Sequence, residues 1–588
     1  MSQEDSTKFV SDALVDLLKD MGIEYVPLNP GASIRGLHDS IVNYGGNKHP
    51  ELILCCHEAI AVAVASGYFR VTGKPLAVLV HDLEGLLHST KAVFEASLER
   101  EAIVIIGGNG PSDVEKRRPG IDWIHNALVP NTVVRDYVKW DDQPEGVISS
   151  LEALIRAYRI SLAAPPGPVY LSIDAELQER PLPVGTSIPA IEQFAPTQLG
   201  EGSFEALEAT ANYLKEAERP VVIADRYGRT DHAVTELALL AQYTGSAVLD
   251  TGLWFNFPSD HPLNLSGAED QVLSDADLVI ILEGRDIYSL LTKEEKGHFA
   301  RKSKYMIKPD CKVVRIDAES QSANSWVSEY GRLTRTDLTI QADSEKAVRK
   351  LREYCGEKPS ARTKDRISEL DQKHVMLRNE WKQNAEKLLI QGGEISYPPL
   401  ALMMWNIFKN KEWILAYPGY TSRGINMWLR RTWDIRTRGQ YPGRGGGTGT
   451  GIGRAIGVAL ANRNSNKICI DFQPDGDLLY SAGALWTLSH WKLPLLVVML
   501  NNHTYYNDEE HQRVVALERN RSVENKTIGI RLEDPIVDFS SLGRSFGIEG
   551  RGPVNDLAEL GGVLTDAVQW ISDNHRPFLI DARINPRD

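Results

Sequence analysis

The sequence is short of cysteine, of long apolar runs and of positive charge, and each shortage closes off a class of function. Its five cysteines (Cys55, Cys56, Cys311, Cys355, Cys469) form no CxxC pair, and an odd number suits a disulfide framework poorly. Buried structural thiols in a reducing cytoplasm are therefore expected, not cysteine ligands or nucleophiles. No apolar run nears the roughly 20 residues that span a bilayer. The opening residues, MSQEDSTKF, are polar and acidic and lack the apolar stretch of a signal peptide. A net charge of −14 argues against nucleic acid and anionic membrane as partners, while leaving room for a local cationic pocket.

What is present is an ordinary folded composition: 42% apolar, 24% charged and 8% aromatic residues. A chain of 588 residues exceeds one core, so roughly three or four domains are expected. Short Val/Ile/Leu runs alternate with helical periodicity: strands at Glu24–Leu28, Leu52–Cys55, Leu76–Val80 and Ile103–Ile106, the last ending in a turn at Gly107–Gly110, with a small-residue helix over Ala59–Val71. This rhythm predicts an α/β protein of three doubly wound domains with mostly parallel sheets. The proline-rich stretch 178–198 follows a strand at Val169–Ile173 and reads as a linker; the charged stretch 356–394 reads as a second linker containing a helix. Domains are accordingly expected at 1–182, 196–356 and 390–588.

Residues 467–505, KICIDFQPDGDLLYSAGALWTLSHWKLPLLVVMLNNHTY, hold the most informative chemistry. One strand runs into Pro474-Asp475-Gly476-Asp477 and a helix, and a second strand ends in Asn501-Asn502. Ligands of an open parallel sheet collect beyond the carboxyl ends of its strands. Asp475 and Asn502 are 27 positions apart, enough for one helix and one strand to bring the chain back beside its start. A carboxylate and an amide oxygen together suit Mg²⁺, or Ca²⁺, with a diphosphate as co-ligand. The glycine-rich stretch 443–453, GRGGGTGTGIG, would let backbone N–H groups approach such phosphates. An Asp-Gly followed by Asn-Asn is by itself equally consistent with turns.

The segment resembles the thiamine-diphosphate signature of the family that contains acetolactate synthase, pyruvate oxidase and benzoylformate decarboxylase: GDG, a spacer of under 30 residues, then NN. Pro474 stands where the first glycine is usual. Far upstream, CHEAIAVAVASGYFRVTGKP (56–75) resembles the family's HE…A…ADGYAR…GKP block. The resemblance implies thiamine diphosphate and Mg²⁺ as cofactors, with metal ligands Asp475, Asn502 and the Thr504 carbonyl. It places Gly447, Thr448, Gly449, Gly476 and Asp477 among the cofactor-binding residues, Thr448 standing where a bulky apolar residue usually supports the bent cofactor. It implies that Glu58 hydrogen-bonds the cofactor's aminopyrimidine. It also implies a homodimer or homotetramer with active sites at the subunit interface.

His81 follows the strand LAVLV at the distance from Glu58 of a benzoylformate decarboxylase active-site histidine, and is expected to transfer protons. Ala32, Ser33, Asp82, Tyr505 and Tyr506 are expected near the substrate, a small carbonyl compound. The segment 505–526 reads as a helix with a solvated face or as a substrate lid. The stretch matched to the source of a second histidine, LEGRDIYSLL, has none, and IADRYGRT replaces the usual flavin-binding glycine turn, so FAD is not expected. These features predict a lyase or decarboxylase acting beside a 2-oxo or 2-hydroxy carbonyl. The alternatives are a carboligase like acetolactate synthase, a cyclic-diketone hydrolase of the same family, which the stretch GLLHS (85–89) resembles, and a cofactor-binding protein that no longer catalyses.

Overall fold

Runs of β-branched and leucine residues buried on both faces build the sheets. The structure is a computed structural model that describes residues 7–294, 303–319, 332–356, 359–421 and 423–585. In the N-terminal part, β1 (Tyr25–Leu28), β2 (Glu51–Leu54), β3 (Ala77–Val80), β4 (Val104–Asn109), β5 (Asp141–Asp142) and β6 (Val169–Asp174) lie in the order β2-β1-β3-β4-β6-β5, all pairs parallel. The winding reverses between β1 and β3, and at such a reversal the loops leaving two neighbouring strands part to form a crevice.

The central sheet joins β7 (Pro220–Ala224), β8 (Ala247–Asp250), β9 (Leu278–Leu282), β12 (Lys312–Asp317) and β13 (Leu338–Gln341) in the parallel order β13-β12-β9-β7-β8, with an antiparallel ribbon of β10 (Thr292–Glu294) and β11 (Ser303–Tyr305) beside it in sequence. The third sheet has the order β14-β15-β16-β18-β17, from β14 (Trp413–Tyr417), β15 (Ile468–Pro474), β16 (Leu495–Asn501), β17 (Glu549–Val554) and β18 (Phe578–Arg583). The fold is thus α/β with three mostly parallel, doubly wound sheets.

Three readings of the sequence need correction. The expected turn at Gly107–Gly110 is strand as far as Asn109, because Gly108 must pass beside Ser33: a Cβ there would lie 2.3 Å from the Ser33 hydroxyl. The turn itself is Gly110, at φ +73°. The charged stretch after residue 356 is mostly one helix, Ala361–Gln391, which buries Arg366, His374 and Arg378 beside Ala385 and is a packed element, not a linker. Strands β5, β8, β10, β11, β13 and β17 also went unforeseen; β13 and β17 mix buried, half-buried and exposed residues instead of forming the continuous apolar runs that marked the others.

By its contacts the chain divides into two compact units. One comprises residues 1–198, 446–465 and 477–495; the other comprises 199–445, 466–476 and 496–588. In the first unit, the helices Glu58–Thr72 and Gly451–Ala461 pack face to face through small residues. A Cβ on Gly457 would fall 2.0 Å from the Val64 carbonyl oxygen, and one on Gly67 would fall 2.1 Å from that of Arg454. Beneath this contact, Glu101 is fully buried and receives Arg454 through two bonds of 2.8 Å and Arg70 through one of 2.6 Å. Among the described residues no helix is long and apolar enough to cross a membrane.

Candidate active site

In the first unit the site is built where β1 and β3 part. Glu58 is the first residue of its helix, a place that favours a carboxylate, and is buried at 5% exposure. His57 caps the helix, its Nδ1 accepting the Ala59 N–H at 3.1 Å. The Glu58 carboxylate lies 3.1 Å from Nδ1 of His88, whose ring stacks on His57 with centroids 4.9 Å apart. Gly85 makes this crowding possible, since a Cβ there would lie 3.2 Å from Glu58 Oε1 and 3.3 Å from His81 Cβ.

His81 follows β3 and precedes the Asp82–Leu98 helix. Its Nδ1 lies 2.8 Å from the Ser33 hydroxyl, which also accepts the Asp82 N–H at 3.0 Å. Ser33 sits with half-buried Ala32 in the 3₁₀ turn Ala32–Ile34 after β1, so both loops of the crevice meet here. Burial, and then the neighbouring His125, hold the His81 imidazolium below the ordinary histidine range. The His125 ring lies 4.9 Å from that of His81. Asp82 is buried with φ +20°, and burial pushes its carboxyl up to about 7.

The glycine stretch of the same unit is anchored to the Asp82–Leu98 helix. Lys91 donates to the Thr448 carbonyl, and Thr450 donates to Glu95 at 2.5 Å. Gly447 has no room for a side chain, since a Cβ would lie 2.1 Å from Glu95 Oε1. Gly449 takes φ +87°, and its N–H donates to the Asp477 carboxylate. One of the N–H groups expected to face phosphate is therefore turned to Asp477 here. Thr448 is half-buried in this loop.

In the second unit, β15 ends at Pro474 and β16 at Asn501, neighbours in the third sheet. Asp475 is 3% exposed; its carboxylate accepts the His503 N–H at 2.7 Å and the Gly476 N–H at 2.9 Å. Burial pushes it up to about 6 despite these bonds. The Asn502 side-chain oxygen accepts the Thr504 N–H at 3.0 Å, and His503 between them takes φ +58°. The pairing of Asp475 with the Asn502 turn is thus present. Gly476 accommodates the Tyr505 ring, which a Cβ would meet at 2.5 Å.

Tyr506 opens the helix Tyr506–Glu518 and borders a cavity of about 470 Å³ with Asn502, Thr504, Arg531 and Arg583. That helix fully buries only Glu509, which Thr504 and Lys526 engage, and its other residues are half-buried or exposed; Arg513 pairs with Glu510 at 2.7 Å.

Two residues went unread in the sequence. His88 lies four positions after Glu84 on one helix, within the quoted GLLHS, so helical spacing could have singled it out. His125 stands on the four-residue helix Asp122–His125, too short for any periodic signal, and only the fold brings it to His81.

Descriptions of the N-terminal, central and C-terminal domains of thiamine pyrophosphate enzymes match residues 9–131, 207–351 and 424–582. The chain belongs to the thiamine pyrophosphate enzyme family. It is 24% identical to acetolactate synthase isozyme 1 large subunit of Escherichia coli (strain K12) over 84% of this chain and 81% of that protein, and 25% identical to a probable acetolactate synthase 2 of Oryza sativa over 97% and 82%. The fold is similar to that of the thiamine diphosphate-dependent 4-hydroxybenzoylformate decarboxylase of Rhodococcus jostii, with a TM-score of 0.75 and 18% identity over 99% of this chain and 100% of that one. The residues of this thiamine pyrophosphate enzyme suit the family's cofactor chemically. Glu58 is a shielded carboxylate at a helix start, and Asp475 and Asn502 offer two hard oxygen donors at adjoining strand ends.

Proposed function

We propose that the protein is a thiamine-diphosphate-dependent lyase or decarboxylase that cleaves the C–C bond beside the carbonyl of a 2-oxo or 2-hydroxy compound. The observation that carries this reading is Glu58 and His81 meeting on either side of Gly85, at the parting of β1 and β3. Thiamine diphosphate, when bound, supplies the nucleophilic carbon and the electron sink for such a cleavage.

Glu58 would hold the aminopyrimidine, with His88 fixing the direction of its carboxylate. Asp475, the Asn502 side chain and the Thr504 carbonyl would hold Mg²⁺, with Gly447, Thr448, Gly449, Gly476 and Asp477 around the diphosphate. His81 would exchange the proton at Nε2 while the Ser33 hydroxyl engages Nδ1 and orients the ring. Ala32, Asp82, Tyr505 and Tyr506 would border the substrate. Residues 1–182, 196–356 and 390–588 would be the pyrimidine-binding, central and diphosphate-binding domains. The active form is a homodimer or homotetramer.

Incubating the protein, loaded with thiamine diphosphate and Mg²⁺, with a panel of 2-oxo acids and following CO₂ tests the proposal. Turnover of an aliphatic or aryl member, abolished in Glu58→Gln, is expected; silence across the panel would overturn it. A carboligase is the second reading, favoured by sequence similarity to acetolactate synthases. Acetoin-type products from pyruvate would select it. Ring cleavage of a cyclic diketone without CO₂ would select the hydrolase that GLLHS resembles.

A further inference from the structure

Four histidines converge around the start of the Asp82–Leu98 helix, and the proposed reaction leaves His125 and Glu84 without a task. Each of His81, Glu84 and His125 offers a donor atom within 4.8 Å of the others. They come from three places in the first unit: the residue after β3, the first turn of that helix, and the end of the Asp122–His125 helix.

Nδ1 of His125 is shielded from solvent and has no hydrogen-bond partner among the described residues, although Glu84 Oε2 lies only 3.1 Å away, out of line for such a bond. A ring nitrogen and a carboxylate oxygen at that separation stand about as far apart as two ligands of a tetrahedral ion, since bonds of about 2.0–2.1 Å set edges of about 3.3 Å. The third donor is equally prepared. With its proton on Nδ1, donated to the Ser33 hydroxyl oxygen, His81 leaves Nε2 for a ligand and its ring is fixed, as by the outer-shell partner of a metal-bound imidazole.

We propose that His81, Glu84 and His125 form a binding site for a divalent transition cation of the zinc class. Two imidazoles and one carboxylate are the donors such an ion takes, whereas Mg²⁺ prefers oxygen alone. With Glu84 ionised the set carries one negative charge. Arg118, the cation facing His81, is already engaged by Asp122 at 2.7 Å. Three ligands leave a fourth position open to water or a small anion. The neighbouring trio of His57, Glu58 and His88 also lies within 4.8 Å, but His57 Nδ1 is spent on the helix cap and His88 already holds Glu58. An ion at His81 takes that ring out of proton transfer, so it suppresses turnover.

The test uses the whole chain, stripped by chelation and free of thiamine diphosphate, titrated with Zn²⁺ against a chromogenic zinc chelator. One equivalent per chain is expected to be withdrawn from the chelator, with X-ray absorption at the zinc edge showing nitrogen and oxygen neighbours. His125→Ala and His81→Gln lose the site, Ser33→Ala weakens it by about 10–100-fold, and His88→Ala leaves it intact. Sulfur neighbours, equal affinity in His125→Ala, or loss in His88→Ala would each overturn the proposal. Binding is read without cofactor or turnover, so it stands or falls separately from the proposed reaction.

Discussion

Replacing Arg454 by methionine tests whether a buried ion cluster sets the distance between the Glu58 helix and the helix that follows the glycine stretch. Glu101 is fully buried; Arg454 grips it with two bonds of 2.8 Å, and Arg70 adds a third at 2.6 Å while reaching Glu99 at 2.7 Å. Burial alone would raise the Glu101 carboxyl, but the guanidiniums of Arg454 and Arg70 outweigh it and hold the group below its ordinary range. Methionine keeps most of the stem's volume and removes the fork, so Glu101 is left with Arg70 and the Ser66 hydroxyl in a site closed to water. Removing one partner of a buried pair costs about 3–5 kcal/mol, read as a shift of the urea transition of the metal-free chain. Removing both charges, in Arg454→Met with Glu101→Gln, leaves Arg70 with Glu99 and is expected to cost clearly less than the sum of the single changes.

The sign with pH follows from the lowered carboxyl. Its contribution is present above the ordinary glutamate value and is lost only as pH falls through the lower folded value, so the Arg454→Met penalty is flat from pH 6 to 9. Salt changes it little, because the groups are shielded. An Arg454→Met transition within about 1 kcal/mol of wild type, or strictly additive single and double changes, would refute the reasoning, since a buried pair is worth several times that.

Glu58→Gln keeps the shape at the helix start and is expected to slow turnover of an accepted 2-oxo acid by about 10²–10⁴-fold with little change in melting temperature; unchanged turnover would remove Glu58 from the chemistry. In metal-free protein, the rise of Asp475 from 3.8 to about 6 means that its charge is destabilising in the folded state, by about 3 kcal/mol at pH 7. Stability relative to Asp475→Asn therefore falls as pH climbs from about 4 to 6, and Mg²⁺ with thiamine diphosphate restores it in the wild type alone; a pH-independent difference between the two proteins would contradict this. Gly457→Ala drives a methyl into the Val64 carbonyl oxygen, 2.0 Å from the ideal position, and is expected to cost at least about 1–3 kcal/mol. Faster amide hydrogen exchange in both helices would report it, and wild-type protection would exclude it.

The sequence alone determined the α/β class and the family, because buried parallel strands read as unbroken Val/Ile/Leu runs and because cofactor chemistry demands particular residues in a particular order. Asp475 and Asn502 could be paired in advance, since one strand and one helix of ordinary length return the chain to its own neighbourhood. The alternating edge strands were hidden, and the Ala361–Gln391 helix was foreseen only as a helix within a linker, because half-buried elements and charged helices look like loops in one dimension. Only the tertiary structure decided the surroundings of Glu58 and His81. His88 reaches Glu58 across a helix pair, Ser33 reaches His81 from another strand's loop, and His125 arrives from a helix of four residues. No local pattern encodes such meetings, because they depend on where the winding of the sheet reverses and on how closely glycines such as Gly31, Gly85 and Gly108 let separate segments approach.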